Sequence, residues 1–275
     1  MIVLQETYIG SAGREALIEL VILDKFNQNL LVFVHGYMGF KDWGAWNLMK
    51  DYFLNKGFGF CTFNITHNGT TVEKPQDFAD LDAFSKNRYS YEKQDVLCAL
   101  DWLQNKVDLT TCNVHLVGHS RGGGIALLCA SDSRVSSVIT IAAISSIEKR
   151  FDLPSDILED WKKIGVRYVK NSRTHQEMPH FIEQLTDFET HRSELDIRKA
   201  CMQLKKPLLI LHGDQDESVS IEEGEAIAEW TKQSLHVIHG ANHTFGASHP
   251  FPEQTLPTEL QMCCEKIVEF IDSLK

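Results

Sequence analysis

One stretch limits what this chain can fold into more than any other: Val114-His115-Leu116-Val117-Gly118-His119-Ser120-Arg121-Gly122-Gly123-Gly124. It reads as a buried strand, a serine held between glycines, and the start of a helix continued by Ile125-Ala126-Leu127-Leu128-Cys129-Ala130. Gly118, Ser120 and Gly122 make the G-x-S-x-G pattern of a nucleophile elbow, in which the serine sits on a strained strand-to-helix corner. Its hydroxyl then stands above the end of a sheet. Side chains at the flanking positions would collide with the neighbouring strand and helix, and glycine accepts the tight backbone. Taken alone, the pattern arises by chance in roughly one chain in ten of this size at average Gly and Ser usage. A phosphate-binding turn is the competing reading, but it would show G-x-G-x-x-G or a Lys-Ser/Thr pair, and neither is present. The remainder of the chain decides.

The order of elements around the elbow predicts an α/β fold. Ile2 to Ile9 and Glu15 to Leu23 read as an antiparallel edge pair joined by Gly10-Ser11-Ala12-Gly13. Leu30-Leu31-Val32-Phe33-Val34 is a continuous apolar run, as required of a strand covered by helices on both faces. A helix from Trp43 to about Asn55 and a strand from Gly59 to Asn64 follow, then a polar loop from Ile65 to Lys86. Tyr89 to Gln104 has helical spacing, with Val96, Leu97, Leu100 and Leu103 on one side. Beyond the elbow come a strand from Val135 to Ala143, another at Pro207 to Leu211, a helix from Ile221 to Trp230, a strand from Leu235 to Ile238 and a helix from Thr258 to Leu274. Strands alternating with helices imply crossovers and a mostly parallel sheet. Between about residues 145 and 206 charged and aromatic residues mix, with Pro154 and Pro179 as breakers. That segment reads as a small helical cap inserted over the sheet. With 275 residues and 43% hydrophobic content, residues 1–275 can form one domain around a large core.

A serine hydroxyl is unreactive near neutral pH without a base to take its proton. Ser120 is therefore read as a nucleophile only together with a partner. His243, in Gly240-Ala241-Asn242-His243-Thr244-Phe245 after the last short strand, is that base. His35 and His212 each precede a glycine at a strand end and read as backbone-packing residues; His119 is the variable position of the elbow and is expected to point elsewhere, and His249, beside Pro250, to lie on the surface. His67, in the polar loop, is the candidate substrate contact. The loop Leu211-His212-Gly213-Asp214-Gln215-Asp216-Glu217-Ser218-Val219 supplies the acid. Asp216 is the choice and Asp214 its rival, the latter also suited to bonding its own turn. The order Ser, acid, His is that of neither chymotrypsin nor subtilisin. An oxyanion hole needs two aimed N–H groups. The backbone of Arg121, after the nucleophile, supplies one, and that of Tyr37, in His35-Gly36-Tyr37-Met38-Gly39, the other. No H-E-x-x-H and no spaced cysteine pair occurs, so neither metal nor cofactor is expected.

These four segments together resemble the α/β-hydrolase superfamily, and within it the dienelactone-hydrolase-like and cinnamoyl (feruloyl) esterase-like branch, itself similar to the serine aminopeptidase-like lipases. The resemblance runs from about Leu30 onward. In the H-G-x-x-D-x-x-V pattern of that branch the aspartate matches Asp216, which favours it over Asp214. The chain departs from the pattern at Thr66-His67-Asn68-Gly69, where many relatives carry Gly-His-Gly, so substrate contacts are not carried over from that loop. The resemblance implies an α/β-hydrolase fold and a serine hydrolase acting through an acyl-enzyme.

Composition narrows the substrate. A net charge of −11 disfavours nucleic acid and anionic membranes as partners. The first residues lack a basic region followed by an apolar core, and no run of about 18 apolar residues occurs. Seven irregularly spaced cysteines read as reduced thiols, which suits the cytoplasm. The cap carries Glu148, Lys149, Arg150, Lys162, Lys163 and Arg167, too much charge for a lid over lipid. The expectation is a carboxylic ester hydrolase for a small soluble ester. The same triad would serve an acyltransferase or a peptidase, and a non-catalytic binding protein on this scaffold is the reading from another class.

Overall fold

The computed structural model describes residues 1–274; Lys275, the last residue of the expected domain, lies outside the described residues. In chain order the elements are β1 (Ile2–Ile9), β2 (Glu15–Ile22), β3 (Asn29–Val34), α1 (Trp46–Asn55), β4 (Gly59–Phe63), α2 (Leu81–Ser85), α3 (Tyr89–Gln104), β5 (Asn113–His119), α4 (Arg121–Cys129) and β6 (Val135–Ile141). They continue with α5 (Ser155–Ile164), β7 (Val166–Lys170), β8 (Glu177–Phe181), α6 (Glu183–Thr190), α7 (Ile197–Met202), β9 (Leu208–Gly213), α8 (Ile221–Thr231), β10 (Leu235–Ile238) and α9 (Thr258–Asp272).

Eight strands form one sheet in the order β1-β2-β4-β3-β5-β6-β9-β10. The β1–β2 and β2–β4 pairings are antiparallel, and every pairing from β4 to β10 is parallel. Every residue of β3 and β9 is buried, because helices cover both faces. Alternate residues still face opposite ways. Leu30, Val32 and Val34 join the core under α3, α4, α7 and α8, while Leu31 and Phe33 join the core under α1 and α9. This places the carboxyl ends of β3, β5, β9 and β10 along one edge, the usual position for a site in such a sheet. Among the described residues no helix is long and apolar enough to cross a membrane.

Three local readings are corrected. The helix expected from Trp43 begins at Trp46, since Gly44 has φ +59 and interrupts helical geometry before it. The segment read as a loop from Ile65 to Lys86 contains α2, capped by Asp80, whose carboxylate accepts from Ala83 N–H at 2.9 Å. Nor is the first part of that segment a solvated surface. Residues 64–70 are buried, with Asn64 accepting from Lys41 N–H at 2.7 Å and Asp95 from Thr66 N–H at 2.8 Å. The cap is not purely helical either. After α5 ends on Gly165, left-handed at φ 86, β7 and β8 pair as an antiparallel hairpin across the Asn171–Gln176 turn. Pro179 sits within β8 opposite Tyr168, which a two-stranded ribbon tolerates because both strands are edges.

Candidate active site

Ser120 occupies the corner between β5 and α4 with φ 57 and ψ −122, a conformation rare for a residue with a side chain. Such strain typically costs about 1–3 kcal/mol and survives only where the surroundings over-determine it. Here Ser120 N–H donates to Ile141 O at 2.9 Å, and Ser120 O accepts from Gly123 N–H at 3.0 Å and Ile144 N–H at 3.2 Å. A methyl group on Gly118 would strike the backbone of Gly122, and one on Gly122 the backbone of Val34 and His35. Glycine is thus required by close approach of two backbones. On Gly36 the added carbon would lie 3.0 Å from Ser120 Cβ, a measure of how closely the loop after β3 meets the serine.

Ser120 Oγ–H lies 3.0 Å from His243 Nε2. His243 Nδ1–H donates to Asp216 Oδ2 at 2.7 Å, with the tautomer fixed by the carboxylate, which can only accept. The Asp216 side chain has no exposed surface, and burial alone would raise its pKa. The His212 ring 3.4 Å away, donation from His243, and donation from the Ser218 and Val219 N–H groups at 2.8 and 2.9 Å outweigh that and hold the carboxyl well below the usual range. Asp214 is spent elsewhere, bonded to His239 Nδ1 at 2.9 Å and to Gly240 N–H at 2.7 Å.

Among the described residues, the backbone N–H groups of Tyr37 and Arg121 take part in none of the turn and cap hydrogen bonds around the site. Their side chains are engaged with each other. The Arg121 guanidinium lies 4.2 Å from the Tyr37 ring centroid and 4.6 Å from that of Tyr89, and pairs with Glu92 at 3.0 Å. Tyr37 O–H donates to His180 Nε2 at 2.7 Å, because His180 Nδ1–H is committed to Met178 O at 3.0 Å. Trp161 in α5 donates to His180 O at 2.8 Å. The cap hairpin is therefore tied to the loop after β3.

A cleft of about 200 Å³ opens over Ser120, with Met38, Trp43, Trp46 and His119 forming one wall and Asn171, Ser172 and Arg173 of the cap turn the other. A hollow of about 730 Å³ near Lys106 and Arg134, at the opposite end of the sheet, contains neither Ser120 nor His243. Two histidine expectations are corrected. His119 does not point away: its Nε2–H donates to His243 O at 2.8 Å, and its ring packs between Trp46 and His243. Strand alternation carries that ring to the α1 side, where it braces the loop of the proposed base. His249 is half-buried, stacked on Trp43 at 5.9 Å and accepting from Gly44 N–H at 3.0 Å. His35 and His212 do serve the backbone. His35 Nε2 accepts from Ile65 N–H at 3.1 Å, and His212 Nε2–H donates to Val219 O at 2.9 Å. His67 is buried against Ser11, Thr66 and Tyr91, and the cleft is not lined by it. The positions of His119 and Arg173 escaped sequence reading, the first because it is the variable position of its motif and the second because its turn is made by a hairpin.

The family model for the α/β-hydrolase fold matches residues 29–175. A curated relative, the "uncharacterized peptidase YtmA" of Bacillus subtilis, is 24% identical over 181 residues, which is 65% of this chain and 60% of the relative's length. Among solved structures, Est1E of Butyrivibrio proteoclasticus with bound ferulic acid aligns with TM-score 0.71 and 19% identity over 98% of each chain. Mouse alpha/beta hydrolase domain-containing protein 10 aligns with TM-score 0.72 and 18% identity over 99% of this chain and 100% of its own. At these identities the structural likeness speaks for the fold.

Proposed function

The chain belongs to the α/β-hydrolase fold family, and from that premise we propose that it is a serine hydrolase cleaving small carboxylic esters, with Ser120, His243 and Asp216 as its triad. The observation that carries this reading is the continuous relay from Ser120 Oγ through His243 to Asp216, at 3.0 and 2.7 Å. Ser120 Oγ attacks the ester carbonyl carbon as its proton passes to His243 Nε2. The carbonyl oxygen becomes an oxyanion accepting from Tyr37 and Arg121 N–H, each such donor being worth about 2.7–4 kcal/mol in the transition state. Collapse expels the alcohol, which takes the proton from His243. Water then attacks the acyl-enzyme with His243 as base, releasing the acid and restoring Ser120. Asp216 holds the imidazole in the productive tautomer and stabilises its protonated form.

The cleft of about 200 Å³ suits a short or aromatic group against Trp43 and Trp46 rather than an extended peptide. The ferulic acid bound by Est1E is of that size class. Seven free cysteines favour a reducing compartment, and we place the protein in the cytoplasm. A fluorophosphonate probe should give one adduct, on Ser120; folded protein that resists the probe overturns the reading. The peptidase name of the curated relative and the possibility of acyl transfer are separated by product analysis with matched esters and amides and with added amine acceptors.

A further inference from the structure

Arg173 stands at the tip of the cap hairpin and lines the cleft over Ser120, yet its guanidinium makes no ion pair or hydrogen bond among the described residues. Its Nη2 is enclosed and without a partner. The side chain as a whole is only partly buried, so the guanidinium can meet a counter-charge brought into the cleft by a ligand. Asp77 is the carboxylate that acts on it, at longer range than an ion pair, and His249 is the neighbouring titratable ring. Arg88 and Arg167 also carry an enclosed nitrogen without a partner, but neither lines the cleft.

The arginine is held in place. Asn171 Oδ1 accepts from Arg173 N–H at 2.9 Å and from Thr174 N–H at 3.1 Å, closing the turn on itself. Gln176 Nε2–H donates to Phe78 O at 3.0 Å, pinning the hairpin to the segment before α2. The guanidinium carbon lies 5.8 Å from the Phe40 ring centroid and 5.6 Å from that of Phe78. The backbone of the turn is thus fixed and the guanidinium rests near two rings, across the cleft from the apolar wall of Met38, Trp43 and Trp46. On a chain of net charge −11 a free anion is repelled at long range, so a local cation is what an anionic substrate would need.

We propose that Arg173 is an anion-recognition residue and that the substrate is an ester carrying a carboxylate, whose charge pairs with Arg173 while the ester carbonyl meets Ser120. This rests on the hydrolase reading above and narrows it. The test uses two matched pairs of esters. With the charge on the acyl side they are the mono-4-nitrophenyl ester of adipic acid and its methyl ester; with the charge on the alcohol side, 4-(carboxymethyl)phenyl acetate and its methyl ester. Wild type should prefer the charged member of one pair by about 10- to 100-fold in kcat/KM, chiefly through KM. Which pair shows it tells which side of the ester meets Arg173. Arg173→Met, which keeps the aliphatic stem, should lose the preference, the charged-to-neutral ratio of kcat/KM falling to about one whatever happens to the absolute rates; Arg173→Lys should retain part of it, which separates lost charge from lost folding. No preference in either pair, or a preference that survives Arg173→Met, overturns the anion site and leaves the hydrolase reading standing. A wild type that cleaves none of the four esters while its Ser120 takes a fluorophosphonate also overturns the anion site alone. Failure of both labelling and hydrolysis overturns the two together.

Discussion

Asp216 Oδ2 lies 2.7 Å from His243 Nδ1, while Asp214, two residues earlier in the same loop, is bonded to His239 and Gly240. The two carboxylates therefore make separable predictions. Asp216→Asn should lower kcat/KM on 4-nitrophenyl acetate by about 10⁴-fold, since an amide orients the wrong imidazole tautomer. Asp214→Asn should leave it within a few-fold. The reverse order of effects would assign the acid to Asp214.

Tyr37 is proposed to act through its backbone N–H, and its hydroxyl is bonded to His180 at 2.7 Å. Tyr37→Phe should accordingly keep kcat within about tenfold. It should lower stability by about 1–3 kcal/mol, because His180 Nε2 loses, in a buried setting, its only donor among the described residues. Steady-state kinetics and urea melts read the two effects. A 10³-fold fall in kcat with unchanged stability would make the hydroxyl itself catalytic.

The central strands were legible because a parallel sheet covered on both faces needs unbroken apolar runs, and Leu30 to Val34 and Pro207 to Leu211 have them. The proposed triad could be read because each of Ser120, Asp216 and His243 follows a strand end within a recognisable segment. What stayed hidden depends on partners distant in sequence. The buried polar stretch at residues 64–70 looks solvated until Asp95 and Lys41 are placed against it. The cap hairpin was masked by Pro179, a breaker in a central strand but not in a two-stranded ribbon. Its strands alternate charge with Val166, Tyr168 and Val169, so no apolar run marks them. Glu92 and Asp95, buried on the apolar face of α3, were also invisible to a pattern that counts only hydrophobic residues.

The glycines of the elbow and of the cap should differ in cost. Gly118→Ala drives a methyl group into the backbone of Gly122, which cannot yield without moving α4, whereas Gly165 has φ +86 and open space around it. Gly165→Ala should cost about 1–2 kcal/mol, the penalty for a left-handed residue with a side chain. Gly118→Ala should cost more than about 4 kcal/mol or abolish soluble expression. Equal melting temperatures for the two variants would contradict the close packing at the elbow.

Stability should fall on mild acidification. Burial holds His35 and His115 down to about 4, and His119 and His180 down to about 3. The unfolded chain binds protons at these rings from about pH 6.5 downward, before the folded one does. Each ring then removes up to about 1.4 kcal/mol of stability per pH unit between about 6.5 and its folded value. Asp95 opposes this: burial raises it to about 6, so the folded state takes up its proton first as pH falls below that. One such group does not offset four. Urea midpoints measured from pH 7.5 to 5 should decline steadily below about 6.5, and a flat profile would contradict neutral buried histidines.

The central claim is that Ser120 is the nucleophile of an ester hydrolase, and turnover of 4-nitrophenyl acetate by wild type and by Ser120→Ala tests it most directly. The variant should retain the fold, since the elbow is held by backbone bonds of residue 120, and should lose about 10⁴- to 10⁶-fold in kcat. Equal rates for the two proteins would contradict the account.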